Sequence, residues 1–227
     1  SVDGLQAQRI LGVHGYPAGH GVSQPALGQW YGQVENLEVK PNSRFNFQPT
    51  SLAGLFVVER KPIGDARGFL CRFFCAEEFQ AAGWKKSIVQ INHTCTVKKG
   101  AVRGLHFQYP PHAERKLVSC LRGEVYDVAL DVRKGSPTFL RWHGEILSAA
   151  NRKSLLIPEG FAHGFQTLVD DCELIYLHTA PFCEGSEGAI HCADPRAGVV
   201  WPIPVTDISE RDSRHSFIDH SFQGVDV

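Results

Sequence analysis

The stretch Val102-Arg103-Gly104-Leu105-His106-Phe107-Gln108-Tyr109-Pro110-Pro111-His112-Ala113-Glu114-Arg115-Lys116 sets a histidine inside a short apolar and polar run and returns a lysine beyond a Pro-Pro turn. An imidazole that titrates near neutral pH, paired with a fixed cation, is what proton abstraction beside a carbonyl requires: one group takes the proton, the other steadies the enolate oxygen. Alone, a strand histidine reads as a hydrogen-bonded core residue and a lysine as a solvated one. Context changes both readings. Lys116 precedes the apolar Leu117-Val118, at the mouth of a strand from which its ammonium can reach inward, and His163 is expected to enter the same interior.

Inverting a carbon centre also needs an acid on the opposite face. Tyr176 shares a strand face with Cys172, Leu174 and His178, so its phenol points where that strand's apolar side chains point; it is a core tyrosine or a proton donor. Asp212 in Ser209-Glu210-Arg211-Asp212 is either the acidic end of a helix capping box or the carboxylate that orients His106. Arg67, Arg103 and Arg211 are candidates for holding a diphosphate. Strict alternation puts Val102, Gly104, His106 and Gln108 on one face and Arg103 on the other. Both meet one substrate only if Gly104 breaks the alternation, or if Arg103 serves a second subunit's site.

The elements that must position these residues are short strands. Leu55-Phe56-Val57-Val58 reads as a buried strand with a turn at Pro62-Ile63-Gly64-Asp65, and Ala76 to Ala82 as a short helix ended by Gly83. From Val125 to Arg133 the chain alternates: Tyr126, Val128, Leu130 and Val132 take one face, Val125, Asp127, Ala129 and Asp131 the other. Leu155 to Ile157, Gly164 to Val169 and Cys172 to His178 continue the series. Strands with turn signals about every ten residues predict an all-β sandwich or barrel. Residues 1–43 lack either period and read as an N-terminal arm, with Trp30 and Tyr31 as its anchors; residues 44–227 form the main domain.

Composition narrows the classes. With 227 residues, 43% hydrophobic and 21% charged, the chain has material for an ordinary globular core. A net charge of −1 leaves no basic footprint, so nucleic acid is not an expected partner. No apolar run approaches a membrane span and no secretory pattern opens the chain, which points to the cytoplasm. A chain without methionine has lost its initiator, and Ser1-Val2-Asp3-Gly4 reads as a remnant of processing. Seven cysteines, with no Cys-x-x-Cys pair, read as reduced and mostly buried thiols.

Pro158-Glu159-Gly160-Phe161-Ala162-His163 resembles the second motif of the cupin, or double-stranded β-helix, superfamily. The first cupin motif would place His-x-His where this chain has His106-Phe107-Gln108, so a metal site is not expected. Asp65-x-Arg67-Gly68-Phe69, Gln90-x-Asn92, Arg103 to Gln108, Lys116-Leu117-Val118, Gly123 to Ala129, Ser136-Pro137-Thr138-Phe139, Ile157 to Phe165 and Ser209 to Asp212 together resemble the dTDP-4-dehydrorhamnose 3,5-epimerase family, from about Phe45 to the C-terminus. The resemblance implies a cupin-like jelly-roll barrel, usually a homodimer with exchanged strands, acting on a dTDP-4-keto-6-deoxyhexose without metal or redox cofactor. It implies His106 as base, Asp212 as its dyad partner, Lys116 near the keto oxygen and Tyr176 as proton donor. It also implies substrate contacts from Arg67, Gln90, Asn92, Arg103, His163, Glu187 and Arg211, with Phe182 stacking on thymine. Three positions depart from the pattern: Arg72 for a usual Glu, Pro181 for a common tyrosine and Cys192 for a common tryptophan. They leave open whether C3, C5 or both are inverted, and on which sugar. Two other readings compete: a metal-dependent cupin enzyme using His106, His112 and His163, and a silent nucleotide-sugar-binding protein that kept the barrel.

Overall fold

The computed structural model describes residues 42–227. The segment read as an arm, with Trp30 and Tyr31, lies outside the described residues apart from its last two positions. Two antiparallel sheets face each other. The first contains β1 (Phe45–Pro49), β2 (Phe56–Arg60), β10 (Lys153–Ile157), β7 (Lys116–Arg122), β12 (Cys172–His178) and β5 (Gln90–Thr96), in that spatial order. The second runs β13 (Glu187–Ala189), β6 (Ala101–Gln108), β11 (Phe161–Thr167), β8 (Glu124–Asp131) and β9 (Trp142–Ser148), with β14 (Asp207–Ile208) added in parallel to β6. A hairpin of β3 (Ile63–Asp65) and β4 (Gly68–Leu70) stands apart from both sheets.

The residue pattern explains the layering. Val57, Val118, Val125, Ala129, Leu155, Phe165 and Leu174 meet between the sheets as one apolar cluster. The outer faces are covered too, which is why the strands read as nearly continuous hydrophobic runs. On the first sheet Phe45, Phe56, Leu117 and Leu177 pack against Phe79 and Trp84, the former from α1 (Ala76–Gln80). On the second, Leu105, Val128 and Leu130 pack under the C-terminal residues Ile190, Ala197 and Val225. The alternation read over Val125 to Val132 is therefore correct, with both faces buried. The expected helix is shorter than read: it ends at Gln80, because the amide of Gly83, at φ +86°, turns back to the Gln80 carbonyl and closes the end.

Strict alternation fails on β6, and the failure serves the site. On β6 and β11 His106 pairs with His163, but Arg103 pairs with Phe165, so three steps on β6 match two on β11. This bulge at Gly104 turns Arg103 and His106 onto the same cavity while Leu105 goes to the outer core. Gly104 has φ +112°, and a Cβ there would lie 2.6 Å from the Gly164 Cα and the His163 carbonyl oxygen. Gly104→Ala is accordingly expected to destabilise the fold by about 2–4 kcal/mol, a loss read by urea unfolding, through a positive φ and a backbone clash together.

Candidate active site

The inter-sheet space opens at one end into a cavity of about 770 Å³. Its wall joins residues far apart in the chain. From the second sheet and its additions come Arg103 and His106 on β6, His163 on β11, Glu187 on β13, and Arg211 and Asp212 on α2 (Glu210–Ser213). From the first come Lys116 on β7, Tyr176 on β12, and Gln90 and Asn92 on β5, with Phe182 in the loop beyond β12. Of the residues that the resemblance assigns to catalysis or substrate contact, Arg67 alone does not line it. Arg67 sits at the turn of the β3 and β4 hairpin, exposed and bound to Asp65 at 2.5 Å, because this hairpin belongs to neither sheet.

His106 and Asp212 form a dyad. The Asp212 carboxylate accepts from His106 Nε2 at 2.8 Å and from the Gly104 amide at 3.2 Å. Both readings of the Ser209-x-x-Asp212 motif hold in part: the Ser209 hydroxyl accepts from the Asp212 amide and caps α2, while the Asp212 side chain turns away to the imidazole. Burial alone would raise the Asp212 pKa; the His106 hydrogen bond and charge, the Gly104 amide and Arg211 outweigh it and hold this carboxyl well below the ordinary range. A fixed anion at Nε2 sets the tautomer. Nε2 carries the hydrogen and Nδ1 is left as the free base.

Tyr176 stands on the other sheet. Burial, reinforced by the Asp127 charge, pushes its pKa far above that of a free phenol, so at neutral pH it is a hydrogen donor. Its ring lies edge-on to His163, centroids 5.8 Å apart. His163 in turn bonds to Asp127 at 2.8 Å, both buried. Lys116 is buried with its ammonium 3.1 Å from Glu114. Arg211 reaches Glu187 at 3.3 Å.

Sequence reasoning missed Glu114, Asp127, His178 and His215. Asp127 was legible as a charge on the inward face of β8, and Glu114 as a residue two before Lys116 and so on its side. The metal reading of His106, His112 and His163 does not hold: among the described residues, the one grouping tight enough to share an ion is His106, Asp212 and His215, and it includes neither His112 nor His163. Arg211 lies 3.2 Å from His106 there, an unfavourable neighbour for a cation. All seven cysteines are free, yet only Cys120, Cys172 and Cys192 are buried, and Cys95 is exposed. Burial pushes the Cys120 thiol up to about 12. Of the departures, Arg72 pairs with Glu78 at 2.8 Å and Cys192 is buried, its backbone carbonyl accepting from the Trp201 indole at 2.9 Å, both off the cavity wall.

An oriented imidazole on one sheet, a protonated phenol on the facing sheet and a buried ammonium line one cavity of a β-barrel, an arrangement suited to moving protons on and off carbon. The dTDP-4-dehydrorhamnose 3,5-epimerase family matches residues 49–220. The enzyme of that name from Shigella flexneri is 41% identical over 179 residues, 78% of this chain and 98% of that one. Among solved structures, the dTDP-6-deoxy-D-glucose-3,5-epimerase of Legionella pneumophila in complex with dTDP-4-keto-L-rhamnose is 38% identical with a TM-score of 0.74, covering 80% of this chain and 98% of that one. A 3'-monoepimerase from Streptomyces bikiniensis in complex with dTDP-quinovose is 31% identical with a TM-score of 0.70, covering 75% and 86%. The chain belongs to the dTDP-4-dehydrorhamnose 3,5-epimerase family: it is an isomerase with a cupin-like barrel.

Proposed function

We propose that this enzyme inverts both C3 and C5 of a dTDP-4-keto-6-deoxyhexose in deoxysugar biosynthesis. The observation that carries the reading is that His106 and Tyr176 enter one cavity from facing sheets. The 4-keto group acidifies the hydrogens at C3 and C5. His106 Nδ1 takes one as a proton, and the electron pair moves into the C4 oxygen. The Lys116 ammonium donates a hydrogen bond to that enolate. Tyr176 delivers its proton to the same carbon from the other side, and the enolate returns to the ketone. Solvent then restores the tyrosine proton and takes the one on His106. Each step moves a proton and changes no oxidation level, so no redox cofactor takes part.

Arg103, Arg211 and His163 serve the diphosphate and sugar, with Gln90, Asn92 and Glu187, and Phe182 stacks on thymine. Arg67 reaches a site only from a neighbour. A homodimer exchanging strands supplies it, with the hairpin of one subunit over the cavity of the other. Such an exchange finds its edge at β5, unpaired on its outer side among the described residues, carrying the exposed Ile91 and followed by the exposed Val97. No described helix is long and apolar enough to cross a membrane, and the substrate class is a product of cytoplasmic nucleotide chemistry, which supports a cytoplasmic enzyme.

Double inversion is favoured because relatives matched over nearly their whole length, the Shigella flexneri enzyme among them, are named 3,5-epimerases. Incubation with dTDP-4-keto-6-deoxyglucose in D₂O, followed by NMR, is expected to place deuterium at both C3 and C5. Label at one carbon would make the protein a monoepimerase; binding without label would overturn the reading.

A further inference from the structure

Two titratable side chains in the cavity wall take no part in the steps above: Glu114 and His178, each 8% exposed at the side chain. Both are tied to Lys116. The register of β7 and β12 places His178 directly opposite Lys116. Glu114 accepts from the lysine ammonium at 3.1 Å through Oε1 and from His178 Nδ1 at 2.7 Å through Oε2. Burial alone would raise the Glu114 pKa, but the His178 hydrogen bond and the Lys116 charge hold it below the ordinary value, so it is an anion. A ring that donates at Nδ1 is free to accept at Nε2, and the Asn92 amide lies 3.4 Å from it. The same sense of donation continues outward. Gln90 Nε2 donates to Asn92 Oδ1 at 3.1 Å, and the Phe182 backbone amide to Gln90 Oε1 at 2.9 Å. Every donor in this chain points toward Glu114.

We propose that Glu114 and His178 are positioning residues for Lys116. His178 occupies one oxygen of Glu114, so the carboxylate engages the lysine through the other oxygen alone. Two of the three ammonium hydrogens then remain for the C4 oxygen of the substrate. Without His178, both oxygens of a buried anion turn to the lysine and draw it off the reaction centre. The chain of donors also joins this control to Phe182, in the loop beyond β12.

The inference rests on Lys116 serving the enolate, and the test separates the two. Steady-state kinetics are measured for His178→Ala, His178→Gln, Glu114→Gln and the double variant Glu114→Gln/His178→Ala, with dTDP binding and thermal unfolding as checks on the fold. His178→Ala is expected to lower kcat about 10-fold with KM within about 3-fold, and His178→Gln, whose amide can donate to Glu114, to recover most of it. Glu114→Gln leaves one acceptor oxygen for two donors, so its amide hydrogens oppose either His178 Nδ1–H or the Lys116 ammonium, and it costs a similar factor. Because both changes break one link, the double variant should be no slower than the slower single, whereas independent effects would multiply to about 100-fold. Multiplication, an effect on KM alone, or a glutamine variant as slow as alanine would overturn the proposal. Should His178→Ala not fold, His178→Leu, which fills the space of the ring and donates nothing, takes its place in the cycle. A Lys116→Ala enzyme that stays active removes the premise; an inactive one beside an unimpaired His178→Ala removes this inference alone.

Discussion

His106→Ala is expected to lower deuterium incorporation at both C3 and C5 by about 10²- to 10⁴-fold, the usual weight of a general base, with dTDP binding and the unfolding temperature nearly unchanged. The site holds three imidazole and carboxylate pairs; that of His178 and Glu114 is tied to Lys116, and the prediction chooses between the other two. His163 shares a sheet with His106 but is almost fully buried, its ring held by Asp127 and set edge-on to Tyr176. His106 keeps 24% of its side chain exposed, and a base must pass its proton to solvent before the next turnover. Removal of the imidazole does not orphan its partner, since Asp212 keeps the Gly104 amide at 3.2 Å and the Arg211 guanidinium at 3.5 Å. The loss should therefore fall on catalysis and not on folding. Retention of more than about a tenth of the exchange rate would pass the base role to His163.

Much of this site could be read in the chain because strand alternation projects onto the fold. Tyr176 and Lys116 point inward as their strands' parity requires, and the faces of β8 divide as the pattern says. The limits of such reading are physical as well. Arg103 has the wrong parity, and only the bulge at Gly104, where no Cβ fits, restores it to the cavity. Asp212 satisfies a local capping motif whose carboxylate is diverted by a partner 106 positions away, a contact that no local pattern encodes. Glu114 and His178 were passed over for a related reason. Each is unremarked in its own segment, and their meaning arises from the pairing of β7 with β12. Arg67 shows the converse: a motif can be present while the residue lies outside the cavity of its own chain.

Tyr176→Phe should separate two events that the native enzyme joins. Proton removal by His106 needs no phenol, so in D₂O the variant is expected to exchange hydrogen for deuterium and return the label to the face it left. Inversion needs a donor on the facing sheet and should fall about 10²-fold or more. Label would then accumulate in sugar of unchanged configuration, at a rate much closer to that of the native enzyme. The substitution removes one oxygen from a ring packed among Leu174, Ala129 and Val118, so the core stays filled and the unfolding temperature should hold. The elevated pKa of the phenol makes the distinction sharp, because burial and the Asp127 charge keep the proton on the oxygen until a carbanion competes for it. Parallel loss of exchange and inversion would mean that the hydroxyl acts before the carbon is deprotonated, by holding the substrate or polarising its ketone, and the acid would then have to be sought elsewhere on the first sheet. His178, stacked on the same ring with centroids 6.1 Å apart, is the titratable neighbour that would inherit the role.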